Sequence, residues 1–342
     1  MLSHPRHHPA AASFSVVEVG DEPAGVPERS PRGGLFTRRR DNLAALRHRL
    51  RPSLSLLLFI LLVASLALRP FGCLSSLQPM LALRSDRPDP RLPSAVVVAG
   101  ATGLRDLVIV ACHSVWQGGP GTSLDRPENA DAWVWEPYQR GVPGQADSLI
   151  DHMRAGVTAV AANADALLLF SGGATRLAAG PLTEAASYWA VTNAASWFGE
   201  AVAVKGRAHV EEHARDSMEN LLFGLCRFRE ITGRYPRTTS LVSYDVKEAR
   251  FRDMHAASLR LPLDAFKFVG TKAPNQEAAE AGEAATRAMW DADPWGCGGT
   301  LGAKRAARDP FARGNPYGRG CPEMASLLEF CGPGPFTGDL PW

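Results

Sequence analysis

Leu107-Val-Ile-Val-Ala-Cys112 is an unbroken apolar run that stops at the polar pair His113-Ser114. A strand that is apolar at every position, with no alternation, is covered on both faces, as strands in parallel sheets packed between helices are. The pattern repeats downstream. Ala166-Leu-Leu-Leu-Phe170 reads as a second buried strand ending at Ser171-Gly172-Gly173, Ala201-Val-Ala-Val204 as a third, Thr238 to Ser243 as a fourth and Ala265 to Val269 as a fifth. Helical segments lie between them. Ala146 to Ala162 places Leu149, Ile150, Met153, Val157 and Val160 on one side. Thr183 is a suitable N-cap for a helix to Ala195, and Val210 to Thr232 reads as a helix closed by Gly233. A further helix is expected from Val246 to Leu261. Strands separated by helices in this order predict an α/β three-layer domain with a mostly parallel, doubly wound sheet, because parallel neighbours need crossover connections.

Upstream the chain changes character. Met1 to about Leu35 is rich in Pro, Ala, Ser and His without an apolar period, and reads as disordered; His4, His7 and His8 read as part of a solvated tail. Residues 38–51 hold six arginines against Asp41, a charge of +5. Behind them Ser53 to Leu68 is sixteen residues without a charge. As a helix this run spans roughly 24 Å, a little short of the hydrocarbon core of about 30 Å, so flanking residues to position 71 complete the span. A cleaved signal peptide is the alternative, with Ser65-Leu66-Ala67 as its small-x-small site, but 52 residues before the apolar run make an unusually long leader. Residues 69–91 carry four arginines against Asp86 and Asp89, or +2, so the positive-inside rule leaves the N-terminus cytosolic. The short span suits a thin endomembrane bilayer, that of the endoplasmic reticulum or Golgi. Against a lumenal domain, Asn129, Asn163, Asn193, Asn220, Asn275 and Asn315 all lack the glycosylation sequon.

The expected organisation is therefore a basic tail (1–52), a transmembrane signal-anchor (53–71), a linker (72–104), the α/β domain with its Gly/Pro-rich extension (105–332) and a tail (333–342). The chain of 342 residues has 45% hydrophobic residues, enough for a sizeable core. Thirty-seven basic against thirty-five acidic residues exclude a bulk nucleic-acid binder. Six cysteines exclude a small disulfide scaffold. Cys112 and Cys226 fall on apolar faces and read as core residues, whereas Cys297 has Cys321 or Cys331 as a disulfide partner if the domain is lumenal.

In a parallel sheet the loops after the strands gather at one edge, where ligands bind. That edge collects His113-Ser114, then Ser171-Gly172-Gly173 with Arg176, then Ser243-Tyr244-Asp245 with Lys247. The Ser-Gly-Gly stretch can offer backbone N–H groups to an anion, with Arg176 adding charge; a tight turn that needs glycine for its backbone is the competing reading. His113 is a candidate general acid/base. Ser114 and Ser171 lack the G-x-S-x-G elbow, and neither a phosphate loop nor G-x-G-x-x-G occurs, so a serine hydrolase and a nucleotide-loop protein are not indicated. Glu211, Glu212 and Asp216 can bind a metal or serve a helix start, and the second reading is the commoner; Trp133 and Trp135 can wall a pocket or cover the core.

Taken together, Ala-Cys-His113-Ser-Val-Trp (111–116), Leu-Phe-Ser171-Gly-Gly, Thr183-Glu184-Ala, Ala-Arg-Asp-Ser-Met-Glu219-Asn220 (214–220), Val-Ser243 leading to Arg250, and the late segments 293–297, 304–311, 315–317 and 321–323 resemble the domain-of-unknown-function 218 family. Its bacterial members include the YdcF-like and SanA/ElyC-like proteins, and this chain is most similar to the eukaryotic, fungal-type, membrane-anchored branch. The resemblance covers roughly residues 105–332. It implies a Rossmann-like fold and a polar cleft holding Gly172, Gly173, Glu184, Glu219, Asn220 and Arg250. Bacterial relatives are tied to envelope integrity and lipid-carrier metabolism, and one binds S-adenosylmethionine, so that cofactor and a divalent metal are the two classes it leaves open. One departure stands out: bacterial members often have histidine three residues before the arginine, where this chain has Lys247.

Three functions follow as expectations. An enzyme acting on a phosphate-bearing or lipid-linked small molecule would hold the anion with Ser171 to Gly173, Arg176, Asn220, Lys247 and Arg250, and use Glu184, Glu219 and His113 as acid/base groups. A nucleotide or S-adenosylmethionine binding module would use the same residues without turnover. A membrane-tethered interaction protein would use none of them.

Overall fold

The computed structural model describes residues 100–342 apart from Pro120 and Leu124. The basic tail, the apolar run 53–71 and most of the linker fall outside the described residues. Among the described residues no helix is long and apolar enough to cross a membrane.

Five parallel strands form the main sheet: β1 (Asp106–Ala111), β4 (Ala166–Ser171), β5 (Ala208–Glu211), β6 (Thr238–Tyr244) and β7 (Phe266–Thr271). The intervening β2 (Val115–Trp116) and β3 (Trp133–Val134) make a small antiparallel ribbon of their own. The order across the main sheet is β5-β4-β1-β6-β7. The chain thus works outward from β1 to β5, returns to the other side of β1, and works outward again. Its direction reverses between β1 and β6, and in an open α/β sheet the ligand crevice lies at such a reversal.

The alternate faces of β1 explain its unbroken apolar sequence. Val108 and Val110 pack with β4's Leu168 and Phe170 against α1 (Gln145–Ala161) and α2 (Glu184–Ala194). Leu107 and Ile109 pack on the opposite face with Leu167 and Leu169 against α3 (Ser217–Thr232). Both layers exclude water, which is why polar alternation is absent. Thr183 caps α2, accepting from Ala186 N at 3.0 Å, and Gly233 closes α3 with a φ of 80°. α4 (Gln276–Ala292) and α5 (Gly299–Ala307) follow β7.

Three boundaries differ from expectation. Ala201–Val204 is a helical turn, with Val204 buried and Val202 fully exposed; four small apolar residues satisfy either period, so only pairing decides. The third strand is instead β5, whose Phe170↔Val210 and Ser171↔Glu211 pairs add it to β4. That strand consumes the first residues of the helix expected from Val210, and α3 begins only at Ser217, where Asp216 accepts from Glu219 N at 3.0 Å. After β6 the chain makes one tight turn, Asp245–Lys247, and then a π-helical segment, Arg250–Ala256, rather than a regular helix to Leu261. Wide turns of this kind recur at functional sites.

Two disulfides hold the C-terminal extension. Cys297 pairs with Cys331, one of the two expected alternatives, but Cys321 pairs with Cys226 at a Cα separation of 5.5 Å. Cys226 is thus a buried half-cystine rather than a plain core residue; a half-cystine and an apolar thiol leave the same apolar pattern in sequence. Cys112 is free and buried. The segment 333–342 packs back onto the domain: Phe336 joins the core and Trp342 Nε1 donates to Leu259 O at 2.9 Å.

Candidate functional site

A cavity of about 580 Å³ opens where the strand order reverses, lined by His113 after β1 and by Tyr244 and Lys247 at the end of β6. The loop after β4, the starts of α2 and α3, the segment after β7, and α4 and α5 complete its wall.

His113 has a defined proton. Its Nδ1 lies 2.7 Å from Cys112 O, and a carbonyl can only accept, so Nδ1 carries the hydrogen. Nε2 then offers its lone pair, at 3.2 Å from Ser243 Oγ and 3.1 Å from Lys247 Nζ. Burial, followed by the charge of Lys247, holds the imidazole well below the usual histidine range, so it is neutral at physiological pH. Tyr244 stacks on it at a centroid distance of 5.2 Å and is itself fixed by Gln145 and Ser148, each 2.8 Å from its hydroxyl. Burial and the neighbouring Arg250 lower the Lys247 ammonium to about 7.

Cationic side chains outnumber acids in the wall. Arg176, Arg215, Lys247, Arg250, Lys304 and Arg308 face Glu184, Asp216 and Glu283. Most of the guanidiniums are already occupied. Arg250 pairs with Glu283 at 2.9 Å, Arg308 donates to Glu136 at 3.0 Å, and Arg215 donates to Glu219 Oε1 at 2.6 Å. Arg176 lies 3.2 Å from Glu136 and 3.4 Å from Glu184, and also donates to His113 O. The two ammonium groups differ: among the described residues, neither Lys247 nor Lys304 has a carboxylate within ion-pair distance.

The expected anion cradle is built otherwise. Gly172 N donates to Glu211 O at 3.0 Å and Gly173 N to Ala214 O at 2.7 Å, so both N–H groups serve the fold. Ser171 donates to Glu211 Oε2 at 2.6 Å and accepts from Asn220 Nδ2 at 3.0 Å. None of Ser171, Gly172 and Gly173 lines the cavity. Gly172 is required for space: a Cβ there would stand 2.8 Å from Glu184 Oε2 and 3.0 Å from Cys112 Cβ. The competing reading, glycine for its backbone angles, does not describe this loop either, since neither Gly172 nor Gly173 has a positive φ; close packing explains them. Glu219, expected as an acid/base group, lies behind the wall with both oxygens held, Oε2 by Arg215 N and Nε and Oε1 by Arg215 Nη2, and Arg305 is 3.3 Å from Oε1. It fixes Arg215. Glu184 does line the cavity, accepting a short hydrogen bond from the Thr175 hydroxyl. Asn220 lines it as well, anchored through its amide to Ser171 O.

Glu211 is wholly buried, which raises its carboxyl to about 7, and it receives Ser171, Tyr317 and the His213 and Ala214 N–H groups. Glu212 accepts from Thr183 and Asp216 caps α3, so these acids serve helix and loop geometry. Among the described residues no group of three or more His, Cys, Asp or Glu could hold a metal ion. Trp133 and Trp135 stack on each other at 5.6 Å and donate to Pro127 O and Ala130 O; they cover the core rather than wall the cavity. Sequence reasoning did not reach Glu283, Lys304 or Arg308 as site residues. A signal existed for the last two: Lys304 on α5 and Arg308 at its C-cap are four residues apart in a basic segment. Glu283 is one of several acids on α4, and nothing in the sequence set it apart from the others.

These features define an α/β protein with a parallel five-stranded sheet and a net-cationic cavity at its strand reversal. The sequence is 21% identical over 278 residues to the Uncharacterized protein YOR238W of Saccharomyces cerevisiae, an alignment covering 66% of this chain and 90% of that protein. No family model matches the chain. No solved structure matches it.

Proposed function

We propose that this chain is a membrane-anchored, Rossmann-like protein of the domain-of-unknown-function 218 type that binds a phosphate-bearing small molecule in the switch-point cavity and acts on it as an enzyme. The observation that carries this reading is Lys247: its Nζ has a neutral imidazole nitrogen 3.1 Å away as its partner and no carboxylate of the described residues in reach. A buried cation without a counter-ion is costly, and an anionic ligand supplies the missing charge. Lys304 and the paired Arg250 and Arg308 extend the same positive wall. Neutral His113, whose Nε2 lone pair faces Lys247 Nζ and Ser243 Oγ at the same cavity, is the proton acceptor.

The charge favours phosphate over S-adenosylmethionine, whose sulfonium and ammonium groups are positive. A lipid-linked phosphate fits a chain tethered by residues 53–71 in an endomembrane, with its N-terminus cytosolic; the run of six arginines before the apolar segment supports that orientation.

The test is thermal stability of the full chain in detergent against inorganic phosphate, nucleotides, sugar phosphates, polyprenyl-phosphate analogues and S-adenosylmethionine. A ligand at a hundred times its dissociation constant adds about 2.7 kcal/mol. The expected result is a shift with phosphate compounds that Lys247→Met removes, followed by turnover that His113→Asn abolishes. No shift with any anion sinks the reading, and a shift without turnover reduces it to a binding module.

A further inference from the structure

The cavity holds a reactive group that a mere anion site does not need. The chain has five lysines against 32 arginines, the balance of its 37 basic residues, and two of the five, Lys247 and Lys304, line this one cavity. Arginine supplies charge at least as well and grips phosphate with two N–H groups, but only lysine can shed its proton and become a nucleophile. The surroundings of Lys247 favour that amine form. From β1 it faces His113, from α1 the buried His152, from β6 the Tyr244 ring with its centroid 5.2 Å from Nζ, and from its own segment Arg250. Lys304 on α5 and Arg308 at its C-cap add positive charge, and the acid acting on it, Glu283 on α4, is already paired with Arg250. The tyrosine ring favours the ammonium only modestly. A lysine desolvated beside another cation is the arrangement that activates an amine.

We propose that Lys247 captures the carbonyl carbon of a phosphate-bearing aldehyde or ketone as an imine, with His113 Nε2 carrying the proton between amine and oxygen. This rests on the anion-binding reading, with Lys304, Arg250 and Arg308 of the same wall gripping the phosphate while Lys247 meets the carbonyl, and adds the substrate class. In the step, the Nζ lone pair forms the C–N bond while the C=O π pair moves to oxygen. A proton passes from Nζ to His113 Nε2 and on to that oxygen, giving a carbinolamine. The C–O bond then breaks, and oxygen departs as water with the second Nζ proton. Amine plus carbonyl becomes imine plus water, and no oxidant or reductant is consumed.

The reagent of choice is pyridoxal 5′-phosphate, an aldehyde bearing a phosphate, used as a chemical probe on the full chain in detergent. After borohydride reduction the labelled lysine is located by peptide mass spectrometry, with and without excess inorganic phosphate, and thermal stability with phosphate alone is recorded in parallel. The expected result is label concentrated on Lys247, suppressed by phosphate, and reduced by about tenfold or more in Lys247→Arg, which keeps the charge but cannot form the imine. Lys267→Arg, at an exposed position on β7, leaves labelling unchanged. Mapping on the wild-type chain needs no variant to fold. Label spread over the exposed lysines, or seated on Lys304, overturns the inference. Stabilisation by phosphate without an imine at Lys247 overturns it while leaving the anion site standing. Absence of both removes both readings, and label at Lys247 that phosphate does not suppress overturns the phosphate-bearing substrate class.

Discussion

Two polar clusters sit at the carboxyl edge of the same sheet, and their hydrogen bonding is completed differently. Around β4, Ser171, Gly172 and Gly173 spend their donors on Glu211 and Ala214, and Glu184 is held by Thr175 and Arg176. Around β6, Lys247 meets a neutral histidine and no acid among the described residues. The first cluster is closed and behaves as structure; the second is open and waits for a charge from outside. Residue type does not separate them, since both contain serine and basic groups. What separates them is whether each buried charge already has its counter-ion, because an uncompensated one costs free energy that a ligand can recover.

Breaking the closed cluster has the largest expected effect. Glu184→Ala takes the acceptor from the Thr175 hydroxyl and leaves Arg176 to share Glu136 with Arg308 in a buried site, and urea denaturation is expected to show a loss of about 3–5 kcal/mol. A loss under 1 kcal/mol, on the order of an exposed pair, would mean that this cluster is not closed. Next comes the clasp that holds α5 and its Lys304 against the cavity. Cys297→Ser opens the bridge to Cys331, with an expected cost of about 3 kcal/mol and a weaker phosphate-induced thermal shift; an unchanged shift would separate α5 from the site. Gly172→Ala forces a methyl group against Glu184 and Cys112, expected to cost about 2 kcal/mol by chemical denaturation while leaving Lys247 labelling intact.

The open cluster responds in the opposite sense. Lys247 has its ammonium lowered to about 7 in the folded chain against an ordinary 10.5. Between those values the unfolded chain binds more protons, so stability rises with pH across that window, and the penalty is fully present below it. Lys247→Met is expected to flatten this rise, and to be more stable than wild type near neutral pH by about 1 kcal/mol or less. A wild-type profile already flat from pH 7 to 10 would count against an uncompensated lysine. Ligand grip runs the other way, weakening as the ammonium is lost. The smallest effect belongs to the surface: Glu248→Ala removes an exposed pair with Arg252, expected to change stability by less than about 0.5 kcal/mol, and it calibrates the others.

Much of the scaffold was legible because its signals are local. Unbroken apolar runs marked β1 and β4, Thr183 and Gly233 marked helix ends, and the loops after strands converged as parallel topology requires. Legibility failed where four residues satisfied two periods, at Ala201–Val204, and where a thiol in an apolar pattern concealed a bridge between Cys226 and Cys321, 95 residues apart. The site was half legible. His113 and Lys247 were reachable from the strand ends and Arg250 only through the family resemblance, whereas Gly172 and Glu219 belonged to the right neighbourhood with a structural role.

The sequence by itself determined the α/β class, the paired apolar faces and the edge at which polar loops collect, since each depends on periods of a few residues. Tertiary structure alone decided which charges are neutralised: Arg250 by Glu283, Arg215 by Glu219, and Lys247 by no acid among the described residues. The reason is physical. Hydrophobic periodicity is written along the chain, but a charge's partner is set by which distant segment folding brings within a few ångströms.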